Sequence, residues 1–289
     1  MQHIENRHFD AERALYNLRD AAVTRCRFGG PADGESALKE ARDVTVEDCD
    51  FSMRYVMWHM RGFVARNCRM DEEARAALWY CRDGEIAGCR LGGIKALREC
   101  DHVEVRDCDI DSKEFGWMCR DIRIRDSAIN GEYLFLHSRD VELAGVEVTG
   151  KYAFQYMENL RIANAAVDTK DAFWHSVNVT VRDSVLGGEY LGWYSRGLTL
   201  VNCDIIGTQP LCHCEDLRLV NCSMRGADLA FEYSDVEADI RGHVDSIKNP
   251  RSGLIVADSV GEIVRGGAVM ECQGEVRLRG GETTGRKGR

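Results

Sequence analysis

The chain has 289 residues, a net charge of −10 and an isoelectric point of about 5.4. An acidic chain of this kind lacks the basic surface that nucleic acids and anionic membranes require, and no apolar run approaches the roughly 18 residues of a membrane-spanning helix. With only three prolines there is no Pro-rich linker, which favours one domain over several.

The N-terminus and the cysteines indicate a reducing compartment. The first seven residues, Met-Gln-His-Ile-Glu-Asn-Arg, lack the apolar stretch of an export signal. The 13 cysteines are odd in number and recur in register. We therefore expect a cytoplasmic protein whose cysteines are free thiols, buried as small hydrophobic residues and not joined in disulfides.

From Cys26 onward, small or apolar residues recur with a spacing that is mostly 19. This small column contains Cys26, Cys49, Cys68, Cys89, Cys108, Ser127, Val146, Ala165, Ser184, Cys203 and Cys222. A 19-residue repeat is too short for a pair of helices and is typical of one coil of a β-solenoid.

Each repeat contains two short strands with period-two alternation. Apolar residues such as Val103 and Val105 lie five and three positions before the small column, and Ile110 lies two positions after it. Gly, Asn, Asp or His occupies the corners, where a left-handed backbone is required. A third strand, exemplified by Phe173-Trp174-His175, is rich in aromatic residues.

These patterns predict an all-β fold, a right-handed single-stranded parallel β-helix with triangular coils of about 19 residues. We expect a single β-helix domain over residues 1–280, with an N-terminal cap over 1–20 and regular coils over 21–224. Irregular C-terminal coils follow over 225–280. The Gly- and Lys/Arg-rich tail 281–289 is predicted to be disordered.

The strongest candidate for a binding site is the outward column of the third strand. It contains Glu40, His59, Tyr80, Glu99, Met118, His137, Tyr156, His175, Tyr194, His213 and Glu232. Aromatic rings can stack on sugars or bases, and His or Glu can act as general acid or base. The bland alternative is that the column only stacks on itself, as parallel in-register sheets allow. Catalytic residues are not assigned.

The preceding column of the third strand is rich in tryptophan and by alternation is predicted to point into the core. It contains Trp58, Trp79, Trp117, Trp174 and Trp193, and Arg98 interrupts it. A buried guanidinium needs a partner, or else the strand twists locally so that Arg98 reaches solvent. We include Arg98 with the candidate ligand-binding residues Tyr80, Glu99, His137, Tyr156, His175, Tyr194, His213 and Glu232.

The sequence predicts neither a metal nor a cofactor. Cys212-His213-Cys214 invites a zinc site, but the neighbouring cysteines occupy columns that elsewhere hold Ser, Ala or Met. His137, His175 and His213 are two coils apart, about 9.6 Å, which is too far for one zinc ion. No phosphate-binding loop precedes a helix.

Several segments resemble an uncharacterised bacterial family of short β-helices, catalogued only as a domain of unknown function (DUF). They include Ala74–Tyr80, Lys170–Trp174, Gly188–Trp193, Leu229–Ser234 and Asp245–Pro250 within about residues 10 to 260. The resemblance implies the β-helix fold and no activity, so no catalytic residue is carried over. More distantly, the architecture looks like pectate lyases, without their long catalytic loops or the paired-aspartate motifs of polygalacturonases.

Two functions follow as expectations. The first is a non-catalytic binding or interaction module that contacts a protein partner along the third-strand face. The alternative is a carbohydrate-active β-helix that binds a glycan there or processes it as a lyase or hydrolase. Fold alone does not decide between them, and whether the chain is an enzyme stays open.

Overall fold

The computed structural model describes residues 1–30 and 35–280, so the predicted disorder of 281–289 lies outside the described residues. The chain forms two compact units, Met1–Thr149 and Gly150–Arg289. Both are built from parallel strands that repeat at intervals of about 19 residues, which confirms the predicted β-solenoid. No helix in the described ranges is long and apolar enough to cross a membrane.

In its described residues the first unit contains 18 complete strands. They are β1 (Gln2–Glu5), β2 (His8–Phe9), β3 (Arg19–Thr24), β4 (Arg27–Gly29), β5 (Arg42–Glu47), β6 (Asp50–Ser52), β7 (Met57–Trp58), β8 (Arg61–Arg66), β9 (Arg69–Met70), β10 (Leu78–Trp79), β11 (Arg82–Ala87), β12 (Arg90–Leu91), β13 (Leu97–Arg98), β14 (Asp101–Arg106), β15 (Asp109–Asp111), β16 (Arg120–Arg125), β17 (Ala128–Glu132) and β18 (Arg139–Ala144). The strand β19 (Glu147–Lys151) contains the boundary residues.

The second unit, as far as residue 280, contains ten further strands. They are β20 (Glu158–Ala163), β21 (Ala166–Lys170), β22 (Val177–Arg182), β23 (Val185–Gly187), β24 (Arg196–Val201), β25 (Asp204–Ile206), β26 (Leu217–Arg225), β27 (Asp235–Lys248), β28 (Ser252–Val264) and β29 (Glu275–Leu278). Every described pairing between them is parallel, as coils wound in one direction require.

The strands stack in the predicted register, with like residues on like. In the first unit Val105 of β14 faces Ile124 of β16, and Ile124 faces Leu143 of β18. In the second unit Ile162 faces Val181, and Val181 faces Leu200. All six side chains are buried, which confirms the column within each unit. In-register stacking therefore fixes the core of each coil.

The corners have the left-handed backbone that the sequence predicts. Asn159 and Asn178, for example, both have φ of +57°, and the Asn178 amide donates a hydrogen bond to Asn159 at 2.6 Å. Asn67 donates in the same way to Asp48. The short amide and carboxylate side chains thus tolerate the turn and also connect one coil to the next.

The small column has a hydrogen-bonding role that explains its Cys and Ser content. The amide N–H of Cys108 donates to the hydroxyl of Ser127 in the next coil at 3.0 Å, and that of Cys89 donates to the thiol of Cys108 at 3.4 Å. A second column of this type, not recognised in the sequence, contains Cys81, Cys100, Cys119, Ser138, Ser176, Ser195, Cys214 and Ser234. All 13 cysteines are free.

The first coil follows the 19-residue repeat, whereas the spacing changes in the coils after residue 225. Residues 1–20, expected to cap the coils, contain β1 and β2, which pair in parallel with β3 and β4 and so form a coil themselves. Residues 225–280, predicted to form irregular C-terminal coils, include two long strands, β27 and β28. The spacing across β27 and β28 drops to 17 at Val236–Gly253, and the register shifts between Ile240 and His243.

The third side of the coil differs most from prediction. Between β6 and β26, the extended strands that the structure describes on this side are β7, β10 and β13, each of two residues. In other coils the side is a β-turn: the amide of Ser176 donates to the Phe173 carbonyl at 3.2 Å, and that of Ser195 donates to Gly192 at 3.1 Å. His175 and Tyr194, at the third position of these turns, have φ of +55° and +59°, as a type II turn requires.

We predict that Phe63 and Gly84 are interdependent. Phe63 of β8 faces Gly84 of β11, and a Cβ on Gly84 would lie 2.1 Å from the Phe63 ring. Gly84→Val should overpack the core and lower the free energy of unfolding by about 1–3 kcal/mol. Phe63→Val should leave a cavity. The double variant should recover stability, because the two new valines would stack on each other and on Val44 and Val103 of the neighbouring coils. Denaturant unfolding measures this; strictly additive losses would contradict it.

We also predict that Ser138 acts through its hydroxyl. The buried Ser138 accepts the amide of Cys119 at 2.9 Å and donates to the Gly116 carbonyl. Ser138→Ala should cost about 1–3 kcal/mol because a buried amide loses its acceptor. Ser138→Cys should cost clearly less, since Cys119 already accepts the amide of Cys100 through sulfur. Equal stability of the Ala and Cys variants in thermal unfolding would show that the column is only packing.

Candidate functional site

The third side presents two consecutive side chains to solvent, from a β-turn in some coils and from the end of a two-residue strand in others. In the turn Phe173-Trp174-His175-Ser176 the first and last residues are fully buried, whereas His175 is exposed and Trp174 is half-buried. The two central residues of a β-turn project away from the chain reversal, which breaks the period-two alternation of a strand. We call the outward residues of this side the turn face, with a tryptophan column and a tyrosine–histidine column.

In the second unit the tyrosine–histidine column forms an ordered stack. The ring of His175 lies 5.0 Å from Tyr156 and 5.0 Å from Tyr194, with interplanar angles of 10° and 7°. His213 continues the stack 4.6 Å from Tyr194 at 16°. The column residues from Tyr156 to His213 therefore form a continuous ladder of rings, and Tyr156 and Tyr194 are 46% and 44% exposed.

The tryptophans of the second unit lie beside this stack and not in the core. Trp174 and Trp193 stack at 5.6 Å with an interplanar angle of 6°. Their indole N–H groups donate to the backbone carbonyls of Tyr190 at 2.8 Å and Gln209 at 2.7 Å. The prediction that they point inward was wrong because it extended strand alternation into a turn. Phe173 fills the core in place of Trp174.

Glu232 does not belong to the tyrosine–histidine column. The spacing from Cys214 to the equivalent Ser234 is 20, so the position after His213 is taken by Tyr233, with φ of +57° and its ring 5.3 Å from His213. Glu232 lies at the tryptophan position of its turn, where its carboxylate forms an ion pair with Lys248 at 3.0 Å. The sequence placement of Glu232 was thus wrong by one residue.

On the first unit the turn face consists of stacked cations and indoles, and Trp58, Trp79 and Arg98 lie there on the two-residue strands β7, β10 and β13. The Lys39 ammonium lies 3.8 Å from the centre of the Trp58 ring, and Trp58 stacks on Trp79 at 5.6 Å. The guanidinium of Arg98 lies between Trp79 at 5.2 Å and Trp117 at 5.9 Å. The Arg98 side chain therefore does not point into the core: it points outward and is 21% exposed.

Glu99 holds Arg98 in this position. The Arg98 Nε donates to the Glu99 carboxylate at 3.0 Å, and the indole N–H of Trp79 donates to it at 3.3 Å. Burial by itself would raise the pKa of Glu99, but hydrogen bonds from Arg98, Tyr80 and Trp79 outweigh it and lower the pKa. The hydrogen bond between Tyr80 and Glu99 raises the pKa of Tyr80, and burial adds to this effect. Glu99 is therefore an ionised acceptor.

The remaining members of the tyrosine–histidine column in the first unit share this surface. His59 lies 4.9 Å from the Tyr80 ring at 39°, and its Nδ1 is 4.0 Å from the Glu40 carboxylate. Met118 is 47% exposed. His137 is exposed at the third position of the turn that the Ser138 amide closes onto Phe135 at 3.1 Å. Sequence reasoning placed all four on the correct face.

The stacked geometry limits what the face can do chemically. Where rings stack in parallel at about 5 Å, each ring face is covered by its neighbour, so the exposed surface consists of ring edges, phenol hydroxyls and imidazole nitrogens. Such an array offers hydrogen-bond donors and acceptors at a regular spacing and little open ring surface. A sugar ring can therefore stack on an aromatic ring face only at the ends of a stack, and not along the whole column.

Two grooves lie on other sides of the first unit. One of about 360 Å³ is lined by Phe63, Gly84, Glu85, His102 and Glu104, and one of about 340 Å³ by Arg27, Asp50, Ser52, Arg69 and Asp71. Asp71, the first of the acidic residues Asp71, Glu72 and Glu73, thus lines the second groove. Within residues 1–30 and 35–280, no three His, Cys, Asp or Glu side chains are grouped so that they could hold a metal ion.

Comparison with known proteins identifies the family. The model of the family DUF3737, described as a protein of unknown function, matches residues 2–276, so the chain belongs to this family, and the resemblance seen in the sequence is confirmed. No curated protein matches the sequence.

Solved β-helix structures are similar to the chain at low identity. The surface adhesin PfbA of Streptococcus pneumoniae is 8% identical over 78% of this chain and 73% of that one, with a TM-score of 0.42. The A-module of the Azotobacter vinelandii mannuronan C-5 epimerase AlgE6 is 10% identical over 96% and 87%, with a TM-score of 0.36. The catalytic domain of a GH87 α-1,3-glucanase is 11% identical over 90% and 64%, with a TM-score of 0.32. Values this low carry no information about activity.

We predict that His213 makes the stability of the protein depend on pH. Burial lowers the pKa of His213, against the opposing charge of Glu232. The unfolded chain therefore binds the proton more readily than the folded one, so this residue's contribution is complete above about pH 6.5 and is lost as the pH falls toward the folded-state pKa.

His213→Phe keeps a ring in the stack and removes the titration. Its stability should fall less steeply than that of the parent as the pH is lowered below about 6.5. Denaturant unfolding across this range, with an NMR titration of the folded His213 ring, provides the measurement. A folded-state pKa at or above the ordinary histidine value would contradict the argument.

Proposed function

We propose that this protein is a non-catalytic binding module whose turn face contacts an extended partner through the edges of its stacked aromatic side chains. One observation carries the proposal: Tyr156, His175, Tyr194 and His213 form a parallel stack on an outward face, with the two tyrosines almost half exposed. The β-turns need no aromatic residue at these positions to form, because side chains there do not fill the core.

Rigidity makes the stack suited to binding. Each ring is held between neighbours, and the indoles of Trp174 and Trp193 are tied to backbone carbonyls. Side chains that are already ordered lose little conformational entropy when a partner docks, and Tyr and Trp combine large contact area with a polar group. The regular repeat favours an elongated partner, such as a strand or loop of another protein lying along the column.

The geometry disfavours the carbohydrate-active alternative as an enzyme. A glycosidase places two carboxylates about 5 to 9.5 Å apart and raises the pKa of the acid. Glu40 and Glu99 lie in the same column three coils apart, roughly 14 Å at the strand spacing of a sheet. The pKa of Glu99 is lowered, which suits an acceptor and not a general acid. Glycan binding without chemistry stays compatible with the ring edges, and a binding experiment separates it from a protein partner.

The ladder variant Tyr156→Ala/Tyr194→Ala should lose binding and keep its fold. A matched control is Val177→Ala/Val185→Ala, because these side chains are 38% and 41% exposed on other sides of the same unit. Parent, ladder variant and control are used as baits for proteins and in affinity electrophoresis against a panel of soluble polysaccharides. Each captured protein is then purified and titrated against all three.

The proposal is supported if a purified partner protein binds the parent and the control with equal affinity and binds the ladder variant at least roughly tenfold more weakly. If a polysaccharide shows this pattern of affinities and no protein does, the ligand of the turn face is a glycan and not a protein partner. If every ligand binds the ladder variant as tightly as the parent, or if the variant unfolds where the control does not, the stack is structural and the proposal fails.

A further inference from the structure

We propose that Arg98 is an anchoring site for an oxyanion, such as the carboxylate, sulfate or phosphate group of a ligand, on the turn face of the first unit. The inference adds a ligand chemistry to the proposed function and rests on it only in that both use the turn face. The residues around Arg98 carry it, and the tyrosine–histidine stack of the second unit plays no part.

The guanidinium is held in a fixed plane. Trp79 and Trp117 lie on either side of it, at 5.2 and 5.9 Å from ring centre to the guanidinium carbon. The indole N–H of Trp79 is bound to Glu99, and that of Trp117 donates to the Tyr133 carbonyl, so both indoles are themselves fixed. An arginine immobilised in this way loses little side-chain entropy when it binds, and cation–π contacts keep its charge stabilised.

Only one edge of the guanidinium is in use. Nε donates to the Glu99 carboxylate at 3.0 Å, and among the described residues the two terminal NH2 groups of Arg98 have no acceptor. A guanidinium offers its two terminal nitrogens as a fork that fits a carboxylate, sulfate or phosphate with two parallel hydrogen bonds. The side chain is 21% exposed, so this fork can reach a ligand from solvent.

Glu99 orients the arginine without taking up the fork. Its carboxylate already accepts hydrogen bonds from Arg98, Trp79 and Tyr80, which lower its pKa and disperse its charge. Lys95, whose ammonium lies 5.6 Å from the Trp117 ring, forms an ion pair with Glu114 at 3.1 Å. Lys95 thus presents a point charge that already has a carboxylate partner, whereas Arg98 presents the planar fork that fits an oxyanion.

The test uses the folded full-length protein and three probes, acetate, sulfate and phosphate, each titrated against chloride at constant ionic strength. The indole N–H resonances of Trp79 and Trp117 report binding next to the guanidinium. We expect saturable shifts with at least one oxyanion and none with chloride. Arg98→Lys keeps the charge beside Glu99 but lacks the planar fork, and it should weaken binding roughly tenfold or more.

Arg90→Gln is the matched control, since Arg90 is an exposed arginine on another side of the same unit. It should bind the oxyanion as the parent does. Absence of a saturable shift with all three probes, or equal binding by Arg98→Lys, or equal weakening by Arg90→Gln, overturns the inference. The ladder variant Tyr156→Ala/Tyr194→Ala should keep the response, so a failure of the proposed function and a failure at Arg98 are told apart.

Discussion

The β-turn that closes coils such as that of Phe173–Ser176 is the constraint on which the tyrosine–histidine stack depends. Its third residue has a left-handed backbone, which costs a residue other than glycine roughly 1–2 kcal/mol. Hydrogen bonds between coils offset this cost. The amide of Tyr156 donates to the backbone carbonyl of Trp174 at 2.8 Å, and the amide of His175 donates to the backbone carbonyl of Trp193 at 3.1 Å. Because the backbone is held from the neighbouring coil, Tyr and His are tolerated where glycine would be expected.

From this turn follows the separation of core and surface on the third side. Phe173 and Ser176 face inward, one as core and one as a backbone hydrogen-bonding partner, and Trp174 and His175 between them face outward. The identity of the outward pair is therefore free to vary without disturbing the core. The outward positions of the third side differ between the two units, with stacked tyrosine and histidine rings in one and indoles stacked with cations in the other.

The strands of the fold could be predicted from the sequence, and the third side could not. Val105, Ile124 and Leu143 lie on strands whose side chains alternate, so a 19-residue step with alternating polarity was sufficient. On the third side the alternation was assumed to continue, which turned the tryptophans inward. The sequence did contain a signal against alternation: Ala172 and Phe173 are consecutive apolar residues, whereas a half-buried strand alternates apolar and polar residues. In the structure both are buried.

The sequence predicts the positions of the candidate residues in the column best where the repeat is strictly 19. His175, Tyr194 and His213 lie one above another as expected. Glu232 was misplaced because one residue is inserted before Ser234, and the small residue itself marks the shifted register. The partner of Arg98 was missed for the physical reason that Arg98 and Glu99 were placed on opposite faces, whereas both point outward and share a hydrogen bond.

The most direct test of this account is hydroxyl-radical footprinting of the folded protein, read by mass spectrometry at Phe173, Trp174 and His175. The turn geometry predicts oxidation of Trp174 and His175 together and protection of Phe173, which is fully buried. An alternating strand would instead protect Trp174 and expose both of its neighbours. Oxidation of Phe173 with protection of Trp174 would contradict the β-turn and with it the turn face.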